Sequence, residues 1–149
     1  MKNPSVSSEA PESLILPEDL QEEIIDHCRQ EAPVEACGLI SGQEDKSMVV
    51  HRMTNTDAEK DHYMMDPEEQ FEVFKKLRQT DREVVAIYHS HPHTEAYPSP
   101  EDLRLAFYPG VIYIIVSLEE DEPTIRGFKI IDEEIEEVEI KSNSAGGEN

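Results

Sequence analysis

Apolar positions recur along this chain in two periods. From Pro17 onward, Leu20, Ile24, Ile25 and Cys28 return at three- and four-residue spacing, with acids in the first turn. That is the stripe of an amphipathic helix, and Pro33 ends it. Ala36 to Ser41 is a short apolar run containing Gly38 and reads as a buried strand. Gly42 to Lys46 reads as a turn, and Met48 to Met53 as a strand that pairs back. Asp66-Pro67 starts a second helix, with Asp66 as N-cap and Pro67 at the first helical position. Phe71, Phe74 and Leu77 are its expected inner stripe. Val84 to Tyr88 is a buried strand that runs into His89. Ser99-Pro100 begins a short helix carrying Asp102, Leu103, Leu105 and Ala106. After a turn at Pro109-Gly110, Val111 to Leu118 is the most apolar stretch and is expected to be a central strand. Thr124 to Ile131 and Ile135 to Ile140, joined by an acidic turn at Asp132 to Glu134, complete the sheet.

Strands interleaved with helices define an α/β protein of the α+β type, with a mixed central β-sheet flanked by helices. The 149 residues suit one core. That core is expected over residues 14–141. Residues 1–13, rich in Ser, Pro and Glu, are expected to be disordered, and 142–149 to form a flexible tail. No internal repeat and no linker divides the chain.

The formal net charge is −21. Such a charge disfavours nonspecific binding to nucleic acid or to an anionic membrane, both polyanions. The acids are spread from end to end, which suits solubility or a high-salt habitat better than one basic partner. No run approaches the roughly 18 apolar residues of a membrane span, and Met1 to Pro11 lacks the apolar segment of a secretory signal. Cys28 and Cys37 are not spaced as CxxC, so the simplest reading is a cytoplasmic protein with reduced thiols.

The chemistry gathers in His89-Ser90-His91-Pro92 and Ser99-Pro100-Glu101-Asp102. Residues i and i+2 of an extended segment share a face, so His89 and His91 can aim both rings at one point. Pro92 forces the chain out of the sheet. Asp102 falls in the first turn of the next helix, where orphan N–H groups and the dipole favour an anion. Two imidazoles and one carboxylate can hold a metal and leave the fourth position open, as catalytic zinc sites do. His93 continues the alternation but reads as a loop residue, since three protein ligands suffice. Glu35, just before the apolar run at Ala36, is placed to act as a general base if that strand neighbours the one ending at His89. Read alone, it is one solvated acid in a chain with 34 acidic residues. Ser99 reads as a helix N-cap.

Glu35, His89-Ser90-His91-Pro92 and Ser99-Pro100-Glu101-Asp102, in that order, resemble the JAMM motif of the MPN+ (Mov34/JAB) zinc metalloproteases. Glu35-Ala36-Cys37-Gly38-Leu39-Ile40 and Tyr63-Met64-Met65-Asp66-Pro67-Glu68-Glu69-Gln70 are similar to segments of the compact prokaryotic members. The resemblance covers roughly residues 14 to 140. It implies a single MPN domain of cytidine-deaminase-like architecture. It further implies Zn2+ on His89, His91 and Asp102, with Glu35 deprotonating the metal-bound water and returning the proton to the leaving amine. Ser99 would steady the oxyanion. The implied substrate is the bond after the C-terminal Gly-Gly of a ubiquitin-like or sulfur-carrier protein, a tail that can thread a narrow groove because glycine has no side chain. An exposed strand edge beside the metal could hold that tail by β-augmentation. The alternatives are a non-catalytic MPN interaction scaffold, a RadC-like protein, or a small-molecule zinc hydrolase. A zinc deaminase is disfavoured by the lack of a Pro-Cys-x-x-Cys segment.

Overall fold

The computed structural model describes residues 10–42, 48–58 and 63–142. In chain order the elements are β1 (Ser13–Ile15), α1 (Glu18–Glu31), β2 (Cys37–Gly42), β3 (Met48–Met53), α2 (Pro67–Leu77), β4 (Glu83–His91), α3 (Pro100–Arg104), β5 (Ile112–Ser117), β6 (Thr124–Ile131) and β7 (Glu134–Lys141). The seven strands form one mixed sheet in the order β1-β7-β6-β5-β4-β2-β3. β5 lies at its middle, as its unbroken apolar character requires.

Two apolar layers cover the two faces. On one face Leu39, Ile87, Tyr113 and Ile115 pack with Leu77 of α2 and with the partly buried Leu103 of α3. On the other, Ile40, Tyr88, Ile112 and Ile114 pack with Ile24 and Cys28 of α1. β4 belongs to both, and its phase is set by a register shift against β2. Ile40 pairs with Ala86 but Ser41 pairs with Val84, which leaves Val85 as the extra residue of a bulge. Below the bulge Val84 points to the α2 face; above it Ile87 does. The bulge thus decides which face receives His89 and His91, because a one-residue slip turns every side chain over.

Several expectations shift. The helix at Asp66 forms with its cap as read, Asp66 accepting from the Glu68 amide at 2.9 Å. Its inner stripe is different: Val73, Phe74 and Leu77 pack on the core, while Phe71 is 56% exposed. At about 100° per residue, Phe71 sits roughly 110° from the centre of the other three and drops off the stripe. The short helix ends at Arg104, so Leu105 lies beyond it. Residues 1–9 of the expected disordered segment, most of the expected turn at Gly42 to Lys46, and residues 143–149 of the tail lie outside the described residues. The boundary drawn at 13/14 falls inside β1, which pairs in parallel with β7 and buries Leu14 and Leu16. Three residues, of which only Leu14 is buried, are too few to show an alternation, so this strand had no local signal.

Candidate metal centre

β4 is 9 residues long and carries both histidines at its end, buried to 2% and 5% exposure. They share the α2 face, as their spacing requires. Pro92 then starts a loop that is pinned at three successive carbonyls. Ser117 Oγ donates to Thr94 O at 2.6 Å, His91 Nδ1 to Glu95 O at 2.8 Å, and Arg126 Nη1 to Ala96 O at 3.2 Å. The loop ends in a capping box. Ser99 Oγ accepts from the Asp102 amide at 3.1 Å, and Asp102 Oδ2 accepts from the Ser99 amide at 2.9 Å. The reading of Ser99 as an N-cap therefore holds.

Among the described residues, His89, His91 and Asp102 form a group whose ligand atoms converge closely enough for one metal ion. His89 Nε2 lies 3.3 Å from His91 Nε2 and 3.2 Å from Asp102 Oδ2, and His91 Nε2 lies 3.1 Å from the same oxygen. A tetrahedral zinc with bonds of about 2.0–2.1 Å has edges of about 3.3–3.4 Å between ligand atoms, close to this triangle. The chemistry fits as well as the size. The Glu95 carbonyl accepts from His91 Nδ1, so in the neutral ring that nitrogen carries the proton and Nε2 keeps its lone pair for a metal. His89 is oriented differently, by stacking on Tyr63 with ring centroids 4.7 Å apart. Its Nδ1 is buried with no hydrogen-bond partner among the described residues. Two buried imidazole nitrogens and a carboxylate oxygen facing one point form an arrangement that a cation stabilises.

The electrostatics agree. Burial raises the Asp102 carboxyl, but the charge of His89 and hydrogen bonds from His89, His91 and the Ser99 amide hold it well below the usual carboxylate range. Burial pulls His91 down, yet its bonds to Asp102 and the Glu95 carbonyl, with the charges of Asp102 and Glu35, raise it overall. Tyr63 is pushed well above an ordinary phenol, first by burial and then by the negative charges around it, Asp102 and Glu35 included.

Glu35 meets its condition. β2 lies antiparallel beside β4, with Cys37 opposite His89. Cys37 and Leu39 point to the α2 face, and alternation carried back two residues puts Glu35 on the face of the histidines. Its side chain is 3% exposed, and its charge is felt at both His91 and Tyr63. His93 is exposed and outside the group, as its reading as a loop residue requires. The strand carrying the histidines has neighbours on both sides, so it offers no free edge; the outer strands of the sheet are β3 and β1. Beside the site, Tyr63, Met65, Ile87, Leu105, Phe107 and Tyr113 line an apolar cleft of about 230 Å³. Nothing in the spacing of Tyr63 marks a ring that stacks on His89.

A mixed sheet that presents two histidines from a strand end and an aspartate from a capped helical turn defines a hydrolase of the JAB/MPN metalloprotease type. The chain belongs to the family described as prokaryotic homologs of the JAB domain, whose sequence profile matches residues 17–131. It is 35% identical over 122 residues to a CysO-cysteine peptidase of Mycobacterium tuberculosis, covering 80% of this chain and 84% of that protein. It is 34% identical over 111 residues to a desampylase of Haloferax volcanii, covering 70% and 80%. The solution structure of DSY2949 from Desulfitobacterium hafniense is similar, with TM-score 0.76 and 38% identity over 85% of this chain and 90% of that one. No helix among the described residues is long and apolar enough to cross a membrane.

Proposed function

We propose that this chain hydrolyses the peptide or isopeptide bond that follows the C-terminal Gly-Gly of a ubiquitin-like or sulfur-carrier protein. The relatives named as a CysO-cysteine peptidase and a desampylase support that class of substrate. The observation that carries the reading is the triangle of His89 Nε2, His91 Nε2 and Asp102 Oδ2, with edges of 3.1–3.3 Å, beside a buried Glu35.

Those three residues would hold a zinc ion. When bound, zinc supplies a Lewis acid for the scissile carbonyl and for the attacking water. Glu35 takes the proton of that water and hands it to the leaving amine, one carboxylate serving as base and then acid. Ser99 keeps both its roles: its lone pair receives the Asp102 amide, and its own proton remains to donate to the developing oxyanion. Asp102 Oδ2 spends one lone pair on the Ser99 amide, which fixes the direction of the other. The scaffold alternative gains no support, because every ligand position of the set is filled.

The test is incubation of the zinc-loaded protein with small carriers bearing residues beyond Gly-Gly, read by intact mass. The expected product ends at Gly-Gly and has lost the mass of the extension. Carriers left intact across a range of extensions and isopeptide adducts would reject the reading.

A further inference from the structure

The peptide that joins Glu35 to Ala36 is held by two side chains. Its carbonyl accepts from Asn55 Nδ2 at 3.0 Å, and its amide donates to Ser90 Oγ at 2.8 Å. Ala36 stands opposite Ser90, one step beyond the Cys37–His89 pair. The Ser90 amide donates to the Ala36 carbonyl at 3.0 Å, so half of an ordinary antiparallel pair is made. The Ser90 hydroxyl replaces the carbonyl that would complete it. Ser90 is fully buried between the two histidines in sequence, and its side chain is also hydrogen-bonded to Cys28 of α1.

Asn55 comes from the turn after β3. Its Oδ1 accepts from the amides of Asp57 and Met64, both at 3.0 Å. Three bonds therefore orient its amide group, and only one way round satisfies them. Through Met64 the same side chain braces the segment that lays Tyr63 over His89.

We propose that Asn55 and Ser90 are positioning residues for Glu35. Gripping the carbonyl and the amide of one peptide fixes its plane, and with it the direction in which Glu35 presents its carboxylate to His89, His91 and Asp102. An error of about 1 Å in a reacting group costs on the order of 100-fold in rate, so the clamp has a catalytic consequence beyond stability. This inference rests on the reading of Glu35 as proton carrier.

The test uses Ser90→Ala, Asn55→Ala, the double variant and Ser90→Thr, all zinc-loaded. Each alanine variant is expected to lose about 10- to 100-fold in kcat per bound zinc, with KM and zinc content little changed. Ser90→Thr, which keeps the hydroxyl, should recover most of the loss. The double variant should lose less than the product of the two, since both act on one peptide. Independently of turnover, amide exchange at Ala36 should quicken in both alanine variants. An active wild type whose variants melt earlier but keep their kcat would make the clamp structural only and overturn the proposal, as would unchanged exchange at Ala36. A wild type inactive on every Gly-Gly substrate would instead overturn the hydrolase reading. Faster exchange in that case would leave the clamp as backbone geometry with its catalytic purpose refuted.

Discussion

Gly38 lies against the ring of Tyr88, its partner across β2 and β4. A Cβ at Gly38 would fall 2.3 Å from Cε2 and Cζ of that ring. Tyr88 is fully buried, and its hydroxyl bonds His27 Nδ1 at 2.7 Å. The ring therefore cannot swing away without breaking a buried hydrogen bond, and it sits next to His89 in sequence. Gly38→Ala should cost about 1–3 kcal/mol by overpacking, or somewhat more. It should also weaken metal binding, because relief of the clash must move β4. Chemical denaturation and zinc titration of the variant check this; wild-type stability would show that the ring has room to shift.

Glu35→Gln keeps the volume of the side chain and removes its basicity. Zinc content and melting temperature should stay near wild type, while cleavage of a Gly-Gly-linked substrate falls by at least about 100-fold, the usual scale of a lost general base. Metal analysis and single-turnover kinetics decide it. Wild-type turnover in this variant would remove Glu35 from the proton path.

His89→Ala and Asp102→Ala each delete one corner of the triangle. Zinc at 100 times its dissociation constant should stabilise the wild type by about 2.7 kcal/mol. Both variants should lose most of that thermal shift. A full shift in either would place the ion elsewhere.

The metal-free protein should be pH-sensitive through His91 and Asp102. The folded pKa of His91 is raised, so its contribution to stability is complete below the ordinary value of 6.5 and is lost as pH rises through the folded value. That of Asp102 is lowered, so its contribution is complete above the ordinary value of 3.8 and is lost as pH falls through the folded value. Their joint stabilisation is greatest between those two ordinary values. Zinc must displace the proton shared by this pair, so binding near pH 6.5 should release protons and tighten as pH rises. Calorimetry in buffers of different ionisation enthalpy measures the release; proton-neutral binding at that pH would contradict it.

The candidate ligand set was legible because its parts are local. Two histidines two residues apart on a strand must share a face, and Ser99-Pro100-Glu101-Asp102 is a capping box whatever surrounds it. The central strand at Ile112–Ser117 was legible for a similar reason: a run of residues buried on both faces is apolar throughout. Phe71 misled because an aromatic at helical spacing carries no mark of where the stripe ends. Tyr63, Asn55 and Ser90 carried no functional signal of their own, since each acts only on a partner distant in sequence.

Sequence by itself determined the elements other than β1, the two imidazoles and the capped carboxylate, because each follows from backbone periodicity and hydrogen bonds a few residues long. Tertiary structure alone decided that Glu35 comes to the same face of the sheet as the histidines. That depends on the antiparallel register of β2 on β4, joining residues 54 apart, and on the bulge at Val85 that turns the histidines toward the α2 face. Register and phase are settled by packing on both sides of the sheet at once, a property of the folded whole that no short stretch of chain encodes.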